Sequence, residues 1–122
     1  MGAAILAQKK GFRVFLSDNG MLREEHRELL RAYMIDFEEG GHTEARVLEA
    51  DEIVKSPGIP DTVPVMLKVL DKGIHVISEI EFAGRHTDAK MICITGSNGK
   101  TTTASLIYHI LKSAGLDRKS VV

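Results

Sequence analysis

Thr95-Gly96-Ser97-Asn98-Gly99-Lys100-Thr101-Thr102 combines the residue types that hold a nucleoside triphosphate. Polyphosphate needs many donors at short range, so main-chain N–H groups must turn inward, and glycines at 96 and 99 free the backbone to do so. A helix beginning near Lys100 adds the positive end of its dipole. Lys100 would reach the outer phosphates as a point charge, and the hydroxyl of Thr101 would ligate a magnesium ion bridging them. Thr102 and Thr103 leave two readings open, a second phosphate contact or hydroxyls that satisfy the first helical turn. Only Ser97 and Asn98 separate the glycines, whereas the general phosphate loop has four residues there, so this is a shortened variant.

Such a loop needs a strand before it and a helix after it. Met91 to Thr95 reads as a buried strand, and Lys100 to Ala114 as a helix with Ala104, Ile107, Ile110, Leu111 and Ala114 inward and Gly115 after its end. Upstream, Ala3 to Lys10 is rich in helix formers and is followed by Gly11. Phe12 to Leu16 reads as a strand that ends at Ser17-Asp18-Asn19-Gly20. Leu22, Leu29, Leu30, Tyr33 and Met34 recur near helical spacing among charged residues, the pattern of an amphipathic helix. A strand near Ile35-Asp36-Phe37, a short helix through Thr43 to Leu48 and a strand Glu52 to Lys55 come next. A helix with Pro64 in its first turn then buries Val63, Met66, Leu67 and Leu70, and the strand Ile74 to Ile77 follows.

This alternation predicts an α/β fold, a parallel sheet with helices on both faces. Ligands of such sheets collect beyond the carboxyl ends of strands, where Asp18 and Ser56-Pro57-Gly58 fall. The alternative is a plain cap or turn residue at Asp18 and a strand-ending turn at Ser56-Pro57-Gly58. Glu79 and Glu81 invite an acid–base reading, but alternation on a strand or a solvated hinge explains them and no residue is assigned catalysis. The expected organisation is a domain over 1–83, a polar linker over 84–90 and the start of a second domain over 91–122.

The formal net charge of -1, with both signs interleaved, argues against nucleic acid, and the lack of a long apolar run argues against a membrane span. Cys93 is expected as a buried strand thiol, and no disulfide can form within one chain. Histidines at 26, 42, 75, 86 and 109 lack zinc-site spacing.

Ile94 to Thr103 resembles the ATP loop of the Mur ligase family, shared more loosely with folylpolyglutamate synthases. Ala50-Asp51-Glu52-Ile53-Val54-Lys55-Ser56-Pro57-Gly58-Ile59-Pro60, the stretch Val76 to Phe82 and the spacing between them are similar to the D-glutamate-adding member. The resemblance covers about Gly2 to Gly115. It implies a cytoplasmic step of peptidoglycan synthesis, and through it cell-wall biogenesis, cell shape and division. ATP would phosphorylate a carboxylate of UDP-N-acetylmuramoyl-L-alanine, and the amine of D-glutamate would displace phosphate to form an amide. It further implies that Gly96, Ser97, Asn98, Gly99, Lys100, Thr101 and Thr102 bind ATP, with Thr101 beside Mg2+. Asp18 would lie at the uracil end of the UDP-sugar, with Asn19 next to it, and Ser56, Pro57 and Gly58 would pack against the nucleotide-sugar.

Family members begin with a strand and a glycine-rich turn, and here Met1 stands where that turn is expected. The resemblance therefore implies an N-terminal fragment of a dinucleotide-binding-like domain with its first strand missing, followed by the first strand, loop and helix of an ATPase domain. Asp117 to Val122 does not resemble the family's continuation. Such a fragment is expected to be inactive alone, and its open sheet to invite self-association. A stand-alone nucleotide-binding module and an inactive structural fragment are the alternatives.

Overall fold

A computed structural model describes residues 1–116 of the chain, so the expectation for Asp117 to Val122 lies outside the described residues. Two compact units are present, residues 1–87 and a second that starts at Asp88. In the first, helices and short strands alternate: α1 (Gly2–Lys9), β1 (Phe15–Asp18), α2 (Glu24–Ala32), β2 (Asp36–Glu39), α3 (Glu44–Val47), β3 (Glu52–Lys55), α4 (Pro64–Asp71), β4 (His75–Ser78) and α5 (Glu79–Arg85). The second unit contains α6 (Lys100–Ser113).

Each helix returns the chain to the start of its next strand, so the ladders are parallel. β1 pairs with β2, setting Ser17 opposite Glu38 and Asp18 opposite Glu39, and β3 pairs with β4, setting Lys55 opposite Ser78. No ladder joins the two pairs, so each of the four strands keeps one edge without a strand partner among the described residues. Helices connect the halves instead. α1 packs on α5, where the ring of Phe12 meets Phe82 at 6.2 Å and His86 at 5.7 Å, and α3 packs on α4 through the Glu44–Lys68 ion pair.

Four helices end alike. After α1, α2, α4 and α6 a residue with positive φ carries the chain out of the helix: Gly11, Met34, Gly73 and Gly115. The N–H of the following residue bonds back to the last turn: Phe12 to Ala7, Ile35 to Leu30, Ile74 to Val69 and Leu116 to Leu111. This arrangement satisfies carbonyls that the helix leaves without partners. Glycine suits it. Met34, at φ 53, does not, and its side chain lies in solvent rather than on the apolar helix face expected of it.

The core lies in the first unit and is built from Leu30, Ile35, Met66, Val69, Ile77 and Phe82. On α4 the buried residues are Met66 and Val69, while Leu67 and Leu70, expected inside, are half exposed. A sheet of two strands spans roughly 5 Å between its strand axes, enough to cover one ridge of a helix rather than a broad face. Glu79 to Phe82, read as a strand or hinge, opens α5. The Ser78 hydroxyl accepts the N–H of Glu81 and caps it.

Met91 to Thr95 is not a strand: it has no ladder partner among the described residues, and Met91 and Ile92 stand more than half exposed. Cys93 is accordingly exposed rather than buried. On α6, Ala104, Ile107 and Leu111 are half-buried, but Ile110 and Ala114 are exposed and no residue of the helix is fully buried. Apolar residues become core only when a neighbouring element covers them, and the described part of this unit supplies none. No helix among the described residues is long and apolar enough to cross a membrane.

Candidate functional site

Gly96 and Gly99 adopt φ +148 and φ +77, conformations that side-chain-bearing residues rarely take. They turn the chain sharply into α6, whose N-cap is Gly99 and has no side-chain cap. The first helical main-chain bond runs from Thr103 N to Gly99 O at 2.9 Å. The N–H groups of Lys100, Thr101 and Thr102 therefore have no main-chain partner among the described residues and lie at the positive end of the helix dipole, an anion-binding arrangement. Lys100 Nζ donates to the carbonyl oxygen of Gly96 at 2.6 Å and approaches that of Ser97 at 3.5 Å, folding its charge back over the loop. Ser97, Asn98, Thr101 and Thr102 are exposed, so the Thr101 hydroxyl is open to a ligand. One hydroxyl beside phosphate oxygens and water suits magnesium, which binds through few protein ligands.

Asp18 ends β1. Its Oδ1 accepts the N–H of Gly20 at 2.8 Å in a tight side-chain turn, while Asn19 stands exposed beside it. Ser56, Pro57 and Gly58 follow β3, also exposed, in a turn closed by Ile59 N donating to Ser56 O at 3.1 Å. Both groups thus sit at carboxyl ends of parallel strands. Lys55 fastens the second turn by donating to Ile59 O at 2.8 Å and pairing with Asp61 at 2.5 Å. A cavity of about 400 Å3 opens beside it, with Lys55, Pro57, Asp61, Val76 and Ser78 in its walls.

Sequence reading passed over the carboxylates that build the β1–β2 end. Glu39 accepts Leu22 N at 2.9 Å and pairs with Arg27, whose Nε donates at 3.0 Å, so it ties the loop after β1 to α2. These bonds, Arg27's first, hold the Glu39 carboxyl below its ordinary pKa. Glu38 accepts from the Ser17 hydroxyl at 2.7 Å and from Thr43 N at 2.8 Å. Its desolvation favours the neutral acid, but the bonds from Thr43 and Ser17 and the charge of Arg46 outweigh this and keep its pKa low. His42 Nδ1 lies 2.6 Å from Ser17 Oγ. The signal for this cluster is the register that places Ser17 opposite Glu38, which no single segment of sequence reveals.

Parallel strand pairs linked through helices, with turns at their carboxyl ends, define an α/β protein of the dinucleotide-binding-like class. Comparison with known families narrows this. Residues 3–64 match the model of the MurD N-terminal domain, and residues 94–122 match that of the Mur ligase middle domain. The chain belongs to the MurD N-terminal domain family. Similar curated proteins are named UDP-N-acetylmuramoylalanine–D-glutamate ligase. Those of Bacteroides fragilis strain YCH46 and Porphyromonas gingivalis strain ATCC 33277 are both 61% identical, over 95% and 96% of this chain, each alignment covering 26% of the relative. That of Chlorobaculum parvum is 47% identical over 94% of the chain and 24% of the relative. The chain thus spans about a quarter of the length of these relatives.

Proposed function

We propose that this chain forms the nucleotide-sugar end and the ATP loop of an ATP-dependent, amide-forming ligase of cytoplasmic peptidoglycan synthesis. The acceptor would be UDP-N-acetylmuramoyl-L-alanine and the incoming amine D-glutamate, as the names of the relatives suggest. The observation that carries the reading is the loop Gly96 to Thr102, with its two positive-φ glycines, its first-turn N–H groups without main-chain partners among the described residues and a lysine at the helix start. Residues 1–83 would serve the UDP-sugar, 84–90 would link, and 91–122 would begin the ATP-binding domain. Asp18, Asn19, Ser56, Pro57 and Gly58 would face the nucleotide-sugar. Gly96, Ser97, Asn98, Gly99, Lys100, Thr101 and Thr102 would face ATP.

Bound Mg-ATP would supply the phosphoryl group that activates a carboxylate toward an amine. The chain's own contribution is to orient it. Lys100, which donates to the Gly96 carbonyl, would turn to the outer phosphates, the first-turn amides of α6 would hold phosphate oxygens, and the Thr101 hydroxyl would hold the metal ion. Calorimetric titration tests the loop: Mg-ATP should bind the wild-type chain and not Lys100→Ala, and equal binding by both would reject it.

The strand edges without a partner among the described residues favour one further behaviour, strand addition by a second copy. Light scattering should then show a mass that rises with concentration, and a monomer throughout would reject it.

A further inference from the structure

Ser17, Glu38 and His42 meet at the carboxyl ends of β1 and β2, and counting their protons fixes which atoms donate. Glu38 is held in its ionised form and has no proton to give. The 2.7 Å contact between Ser17 Oγ and Glu38 Oε1 must then use the serine's only hydroxyl proton. Toward His42 the same oxygen has lone pairs alone, so the 2.6 Å contact requires the proton on Nδ1. A neutral imidazole protonated at Nδ1 presents Nε2 as an acceptor. Nε2 has no protein partner among the described residues, and the ring is half-buried rather than sealed.

This is not a nucleophile–base relay. Such a relay needs the serine to donate to the imidazole and the imidazole to donate to the acid, whereas here Glu38 takes the hydroxyl proton directly. What the cluster does is hold an imidazole with a fixed tautomer just past the end of β2. Side chains alternate along a strand, so Ser17, which carries His42, and Asp18 lie on opposite faces of β1. His42 and Asp18 therefore bracket the end of that strand, Asp18 with a carboxylate and His42, in its neutral form, with Nε2 as an acceptor.

We propose that His42 is a specificity-determining residue of the nucleotide-sugar subsite, its Nε2 accepting a hydrogen bond from the nucleoside, either the uracil imide N–H or a ribose hydroxyl. The inference rests on the reading of Asp18 and Asn19 as the nucleoside end. A buried or half-buried acceptor discriminates because a ligand lacking the matching donor leaves it unpaired. Ser17 and Glu38 are positioning residues, acting through the imidazole.

The test uses the 122-residue chain and UDP. Nitrogen NMR of the histidine-labelled protein should show His42 protonated at Nδ1 and not at Nε2, with the Nε2 resonance moving as UDP is added. Two variants separate binding from support. His42→Asn keeps an N–H close to the Nδ1 position for Ser17 but has no atom at Nε2. His42→Gln offers an amide oxygen near Nε2 and gives up the bond to Ser17. The UDP dissociation constant should weaken about 3- to 10-fold in His42→Asn, the worth of one neutral hydrogen bond, and stay closer to wild type in His42→Gln. N3-methyl-UDP and 2′,3′-dideoxy-UDP tell the two donors apart, since only the analogue lacking the bonded one loses affinity in the wild type and not in His42→Asn. An Nε2-protonated free imidazole, or the reverse order of the two variants, overturns the assignment while leaving the subsite in place. Absence of any UDP response in the wild-type chain removes the subsite reading itself.

Discussion

Lys100 rests on two carbonyl oxygens of its own loop, and those exposed contacts contribute little to stability. Replacing it should leave folding nearly unchanged while removing triphosphate affinity, a separation that comparing thermal unfolding with titration would reveal. Gly99 behaves differently. No atom crowds the space where a Cβ would sit, yet its φ of +77 makes any side chain costly. Gly99→Ala should therefore bias the free loop away from this conformation by about 1–2 kcal/mol, so that Mg-ATP binding, which must restore it, weakens roughly 5- to 30-fold in dissociation constant. Glu38 and Glu39 make a further prediction. Both carboxyls sit below their ordinary value of 4.5, so the stability they contribute is present above that value and lost as pH falls through their folded values. Chemical unfolding at stepped pH should show the first unit weakening below about pH 4.5, with a shallower acid slope in Glu39→Gln. An unchanged slope would remove Glu39 from that role.

At the scale of elements, helix ends carry testable energies. Met34 occupies a left-handed position that glycine fills after α1, α4 and α6, so Met34→Gly should stabilise the first unit by about 1 kcal/mol, measured by denaturant midpoint. Ser78→Ala should cost about 1 kcal/mol by uncapping α5, and Leu30→Ala, which empties a fully buried site, about 2–5 kcal/mol. These elements also show what could be read in advance. Glu52 to Lys55 is a strand with the bounds its alternation and flanking turn indicate, and Pro64 marks the first turn of α4 as its fixed φ requires. α5 escaped because Glu79 and Glu81 alternate as on a strand, although Ser78 three residues before Glu81 is a helix-start pattern. Met91 to Thr95 has strand composition, but a strand exists only with a neighbour to bond to, and local sequence does not contain the neighbour.

For the molecule as a whole, the parallel alternation and family were legible, because periodicity, turns and the loop spacing are local. The Ser17–Glu38–His42 cluster was not, because it depends on which strands pair and in what register. The two strand pairs with free edges give the first unit its particular character: a fold held by helix packing across a place where sheet hydrogen bonding is absent among the described residues. That arrangement leaves the carboxyl ends of β1 and β3, with Asp18 and Ser56 to Gly58, in exposed turns. The proposed function has these turns and the Gly96 to Thr102 loop receive two different nucleotides. Amide NMR of the isotope-labelled chain tests it most directly, in separate titrations with Mg-ATP and with UDP-N-acetylmuramoyl-L-alanine. Mg-ATP should move the resonances of Gly96 to Thr102, and the nucleotide-sugar those of Asp18 to Gly20 and of Ser56 and Gly58. Resonances that stay still with both ligands, or that move at the same residues for both, would contradict it.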